Sequence, residues 1–183
     1  MNIQRNLDHT AFIYDPRGQV SSESDPIAPR VPSLKGLRLG ILDNSKWNAN
    51  KLLRGAQAAL ADIGLAGVNY YVKHNFSKDA APELLEKIAQ ENDIVLTAIG
   101  DCGSCCSCCV RDAVALERLG LPSAAIITTE FEHETVLTRQ AIGMPGLTPV
   151  VIDHPVSSIT SEEVAARVKQ ITVQAQRVWL GQA

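Results

Sequence analysis

Short β-prone apolar runs alternate along this chain with longer amphipathic stretches, and the alternation predicts its elements. Residues 37–42 (Leu-Arg-Leu-Gly-Ile-Leu) predict a first strand. Beyond the polar loop 43–48, Leu52, Leu53, Ala56, Ala59, Leu60 and Ile63 fall at helical spacing, predicting a helix over about 49–63 that stops at Gly64. Residues 68–72 predict a second strand, and Pro82 opens a helix whose buried stripe is Leu84, Leu85, Ile88 and Ala89. A third strand over 93–99 leads through a Gly- and Cys-rich turn into a helix that closes at Gly120. Residues 123–129 predict a fourth strand, 130–142 a fourth helix and 148–152 a fifth strand. A last helix, headed by a capping signature at Ser161, runs to about Leu180 with Val164, Val168, Ile171 and Val178 along it.

Residues 1–36 break the pattern. The turn signal Asp15-Pro-Arg-Gly18 and the prolines at 26, 29 and 32 cannot sustain a helix, so this segment is expected to be an extended arm laid over the domain. Residues 11–14 read either as an edge strand or as part of a tail.

Five strands alternating with five helices imply one α/β domain over 37–183, a three-layer αβα sandwich around a mainly parallel five-stranded sheet of the flavodoxin/Rossmann-like kind. The order 2-1-3-4-5 is expected because it sets the loops after the first and third strands side by side, and those two loops carry most of the polar chemistry.

Composition narrows the function. The 183 residues carry 17 Lys and Arg against 20 Asp and Glu, a net charge of −3 with no basic cluster, which argues against nucleic acid. The first ten residues lack an apolar signal core, and no later run approaches the roughly 18 apolar residues of a membrane span, so a cytoplasmic protein without a membrane partner is expected. Trp179-Leu180 and the Pro-rich arm read as surfaces seeking cover, which predicts a homodimer.

All five cysteines lie within eight positions, Cys102 to Cys109, so no disulfide can staple distant segments. A reducing compartment fits such clustering. Their place at the carboxyl end of a strand and the start of a helix exposes them to unpaired N–H groups and a partial positive charge, which stabilise a thiolate. Cys102-Gly-Ser-Cys105 has the C-x-x-C spacing of an attacking thiolate and a resolving thiol. The bland alternative, cysteines as small buried fillers, applies more readily to one or two of Cys106, Cys108 and Cys109. A third reading takes Cys102, Cys105, Cys108 and Cys109 as ligands for zinc, copper or an iron–sulfur cluster, with His133 or His154 completing the set.

Around this turn, Asn44, Lys46 and Asn48 are candidate substrate-binding residues, Lys46 and Asn44 toward an anionic or carbonyl group. Each also reads as a loop or cap residue, Asn48 above all as a helix N-cap. Asp101 is expected to cap the turn or hold Lys46, and Asp112 to pair with Arg111 or Arg54. Gly103, Ser104 and Thr129 complete the candidate substrate set. His154, at the end of the fifth strand, is placed for acid–base work; a loop residue is the alternative. No dinucleotide or nucleotide-phosphate motif is present. The resulting expectation is a thiol enzyme acting on a small electrophilic molecule, regenerated by a thiol reductant and needing no bound cofactor; the alternative is a metal or iron–sulfur protein.

Residues 42–49 (Leu-Asp-Asn-Ser-Lys-Trp-Asn-Ala), 100–105 (Gly-Asp-Cys-Gly-Ser-Cys), Asp112 with Leu116-Glu117, and 128–131 (Thr-Thr-Glu-Phe) together resemble the UGSC family of selenoproteins and their cysteine homologues. The resemblance places Cys102 where that family's selenocysteine stands and makes Cys105 its partner thiol. The family is in turn similar to the substrate-activating component of glycine and betaine reductases, which implies a redox-active nucleophile. The chain departs from the family pattern after the motif, with Cys106-Ser-Cys-Cys109 where Thr-Ser-Trp-Ser is expected.

Overall fold

The computed structural model describes residues 24–183. Five strands, β1 (Arg38–Asp43), β2 (Gly67–Val72), β3 (Ile94–Gly100), β4 (Ser123–Thr128) and β5 (Val150–Ile152), form one sheet in the order β2-β1-β3-β4-β5, every neighbouring pair parallel. Five helices alternate with them: α1 (Ala49–Ala59), α2 (Pro82–Glu91), α3 (Gly103–Arg118), α4 (Glu132–Ala141) and α5 (Ser161–Leu180). The chain is thus a three-layer αβα sandwich with β3 as the central strand.

The layers follow from the period-two alternation of strand side chains. Leu39, Ile41, Ile94, Leu96, Ala124 and Ile126 join α1 and α5 in one core. Their neighbours Ala125 and Ile127 face α3 and α4, while Leu42 and Val95 face α2 and α3. Because both faces are covered, β3 and β4 are buried at every position, and their sequences read as continuous apolar runs.

Most element boundaries shift by a residue or two from the sequence expectation, β5 starting at Val150 rather than at 148, and three of the differences have a visible local form. Helix α1 ends at Ala59 and tightens into a 3₁₀ turn over Ala61–Ile63, and a second 3₁₀ turn over Thr129–Phe131 delays α4 to Glu132. The cap of α5 is Thr160 rather than Ser161: its hydroxyl accepts the Glu163 N–H, and the Glu163 carboxylate accepts the Thr160 N–H.

Trp179 also corrects its sequence reading. It is fully buried, its indole N–H donating to the Val95 carbonyl at 3.0 Å, so it offers no surface to a second copy. The cover comes from the chain itself, since the Val31 N–H donates to the Trp179 carbonyl and Leu34 joins the same core. Residues 24–36 lie against the domain, with the Ala28 N–H and the Arg30 guanidinium both on the Glu117 carboxylate. The strand or tail expected over 11–14 lies outside the described residues. Among the described residues, no helix is long and apolar enough to cross a membrane.

Candidate functional site

Gly100 is where the site begins. Strand β3 bulges there: Ala98 pairs with Ile126 and Gly100 with Ile127, so Ile99 is the extra residue. A Cβ on Gly100 would meet the Cys106 Cα at 2.8 Å and the Ile127 Cγ2 at 3.0 Å. Only glycine therefore lets α3 start this close to the strand.

Cys102 is the N-cap of α3. Its extended backbone turns the side chain back so that Sγ accepts the Cys105 N–H at 3.3 Å, the place usually taken by a serine or aspartate oxygen. Cys105, one turn along and buried, donates its thiol to the Cys102 carbonyl at 3.3 Å and accepts the Asp101 N–H at 3.1 Å. Both thiols are free. The Ser104 hydroxyl lies 3.7 Å from the Cys102 sulfur, which is half-buried, and nothing lies within 4 Å of where a Cβ on Gly103 would stand.

These contacts split the cysteines electrostatically. Burial opposes a thiolate at Cys102, but the Cys105 thiol and N–H, the Ser104 hydroxyl and the Lys46 charge outweigh it and hold the pKa below the ordinary value. The other four go the opposite way, with burial the largest cause in each. Cys105 is pushed up to about 12, with the neighbouring Cys102 adding to the rise, and Cys109 also to about 12. Cys106 and Cys108 rise to about 11, Cys108 through burial and then the Asp79 carboxylate.

The three thiols beyond the C-x-x-C point in different directions. Cys109 packs into the core beside the Thr97 hydroxyl at 3.4 Å, Cys106 faces the Thr135 hydroxyl of α4 at 3.2 Å, and Cys108 turns toward Asp79. The side chains of Cys102, Cys105, Cys108 and Cys109, the candidate ligands for zinc, copper or an iron–sulfur cluster, are thus not gathered around one point. Among the described residues, no three Cys, His, Asp or Glu side chains are grouped so as to hold a metal ion.

The strand order brings the loop after β1 against this turn. Asn44 stitches the two together, its N–H donating to the Ala98 carbonyl and its amide to the Ile99 carbonyl, both at 3.0 Å. That amide is committed to the scaffold. Asn48 stands at the N-cap position of α1, but its side chain does not cap; it donates to the Val156 carbonyl at 2.7 Å and ties down the loop after β5. Ser45 and Asn48 are the non-glycine residues with positive φ, at 61° and 63°, among the described residues. Such backbone is held only where its surroundings enforce it.

Asp101 binds His154, not Lys46: its carboxylate is 2.9 Å from the His154 Nδ1, which is also 3.0 Å from the Thr128 hydroxyl. Thr129 holds the same loop, its hydroxyl accepting the His154 N–H at 3.3 Å. The Lys46 ammonium instead lies over the Phe76 ring, 4.7 Å from its centroid. His133 is exposed on α4.

Sequence reasoning missed the β2–α2 loop. The Lys73 ammonium is buried against Asp112, whose other carboxylate oxygen accepts the Ala80 N–H at 2.8 Å. This corrects the pairing expected for Asp112, since Arg54 stacks on Tyr70. The loop between them puts Ser77 3.2 Å from Ser104, and Phe76 under Lys46. A lysine ending a strand was the one available signal, and an ordinary one.

Strand order, helix placement and a cysteine pair capping the helix after the central strand define a flavodoxin-like α/β sandwich with a thiol site at the carboxyl end of its sheet. The chain belongs to the UGSC family, whose model matches residues 12–181. No curated protein matches it. Among solved structures, the flavodoxin-like domain of a Synechococcus sp protein is similar at 11% identity and a TM-score of 0.42, over 79% of this chain and 99% of that one.

Proposed function

We propose that this protein is a thiol enzyme in which Cys102 attacks a small electrophilic substrate and Cys105 resolves the adduct. The observation that carries the reading is the asymmetry of the pair: one half-exposed thiol held low at a helix N-terminus, its partner buried one turn away and pushed up to about 12. The match to a selenocysteine position read in the sequence supports the same assignment, since selenium contributes nucleophilicity and redox reactivity. So does the family's similarity to the substrate-activating component of glycine and betaine reductases.

For a substrate E–L, the Cys102 thiolate forms an S–E bond and L departs with the bonding pair. The N–H groups at the start of α3 steady the developing charge. With Cys102 no longer anionic, its contribution to the raised Cys105 pKa disappears, and Cys105 loses its proton more readily. The Cys105 sulfur then attacks the Cys102 sulfur, forming the disulfide and releasing E with its electron pair to be protonated. E–L is reduced by two electrons, and an external dithiol restores both cysteines in the cytoplasm. His154, oriented by Asp101 and Thr128, is the acid–base group for the departing fragments.

The test is alkylation of the reduced protein with iodoacetamide across pH, each thiol quantified by peptide mass. Cys102 should react fastest, with a midpoint below the ordinary cysteine value of about 8.5. The sign follows from the direction of the shift: reactivity is full above the ordinary thiol range and falls as pH drops through the lowered pKa. Uniform reactivity of all five thiols, or a Cys102 midpoint above that value, overturns the proposal. Cys102→Ser should abolish turnover, whereas Cys108→Ser should leave most of it.

A further inference from the structure

The loop after β1 borders an open hollow of ≈ 440 Å³, within the size range of small-molecule sites. Its lining includes Lys46, Trp47 and Lys51. Trp47 is 70% exposed, and its indole N–H has no hydrogen-bond partner among the described residues. An indole left in water on an otherwise ordered loop is an unused apolar wall. Neither Lys46 nor Lys51 has a carboxylate partner among the described residues. Lys46 also reaches beyond the hollow, its charge acting on Cys102 and its ammonium resting on Phe76. One residue thus joins the hollow to the nucleophile.

We infer that this hollow binds a small organic carboxylate with a flat or apolar body, the body lying against Trp47 and the carboxylate between Lys46 and Lys51. The inference rests on the thiol reading for its link to chemistry, and names the substrate class of that site. A monoanion suits the hollow better than a phosphate. The Asp43 carboxylate is also in its lining, engaged by the Ser45 N–H and the Tyr70 hydroxyl, and it opposes a dianion more strongly than a monoanion. The loop also lacks the glycine-rich run of N–H groups that cradles phosphates.

The chain's two tryptophans supply the test, because Trp179 is buried and Trp47 is exposed. Phenylacetate added to the full-length reduced protein should change the Trp47 emission saturably. Acetate, benzyl alcohol and inorganic phosphate should each bind roughly tenfold more weakly or less, the first lacking the body, the second the charge and the third being a dianion. Lys46→Ala should weaken phenylacetate about tenfold, and Lys51→Ala by a smaller factor. Trp47→Ala, followed by calorimetry, should lose binding of the same probe.

A second measurement ties the hollow to Cys102. Its thiolate displaces iodide from iodoacetate or from iodoacetamide to form a thioether, and the ratio of the two rates cancels any change in thiolate fraction. Lys46→Ala should lower that ratio about tenfold in favour of the neutral reagent. Benzyl alcohol or phosphate binding as tightly as phenylacetate, no saturable change in emission, or an unchanged rate ratio would each overturn the inference. Binding needs no turnover, so its failure leaves the reactivity of Cys102 standing. Saturable phenylacetate binding to a protein whose Cys102 is unreactive would instead sink the thiol reading alone.

Discussion

A methyl group at position 100 would sit 2.8 Å from the Cys106 Cα, backbone that cannot swing away as a side chain can. Gly100→Ala should therefore cost about 1–3 kcal/mol, the range for overpacking a closed interior. The expected readout is a lower urea midpoint with an unchanged slope; a midpoint equal to that of the parent would mean that α3 tolerates a shift. At this scale the sequence was informative about Cys102 and Cys105, because a C-x-x-C between strand and helix carries its own geometry. It was silent on where Cys106, Cys108 and Cys109 would point. Consecutive helical residues diverge by about 100°, and only the neighbours of the helix decide what each one meets.

Among the elements, α3 carries the most. Its N-terminus presents Cys102, its middle buries Asp112 against Lys73, and its C-terminal turn holds Glu117 against residues 28–30. The Lys73–Asp112 pair is enclosed, and burial raises the Asp112 pKa although Lys73 and the Ala80 N–H oppose the rise. Asp112→Ala would leave the Lys73 ammonium buried without its counter-charge, at an expected cost of about 3–5 kcal/mol. Asp112→Asn should cost less, because its carbonyl oxygen can still accept the Ala80 N–H. Equal unfolding free energies for the two variants would show that the acceptor for the Ala80 N–H contributes nothing beyond the lost charge. Helices and strands were legible from periodicity because both sheet faces are covered and each helix buries one stripe. The pairing of Asp112 was not, since a partner from β2 depends on how the loop after that strand folds back.

For the whole molecule, the strand order was accessible because polar residues concentrated in two loops that only one common order makes neighbours. The fate of Trp179 was not, since an aromatic near a chain end reads alike whether it is solvent-facing or covered by residues 24–36. That cover meets α3 at Glu117, 15 residues and about 22 Å of helix from Cys102. The distance makes the fold a thermometer of its own chemistry. Cys102 is the side chain that caps the start of α3, so any adduct on it uncaps the helix that α2, α4 and the sheet lean on. Losing such a cap costs about 1 kcal/mol, and in a chain of this length that lowers the melting temperature by about 2–4 °C. Acid should act in the same direction: with a pKa lower in the folded chain, the thiolate's contribution is full above the ordinary thiol value and is lost as pH falls through the lowered one. Calorimetry of the reduced and the Cys102-alkylated protein should register the difference, and equal melting temperatures would mean that α3 holds its first turn without the sulfur.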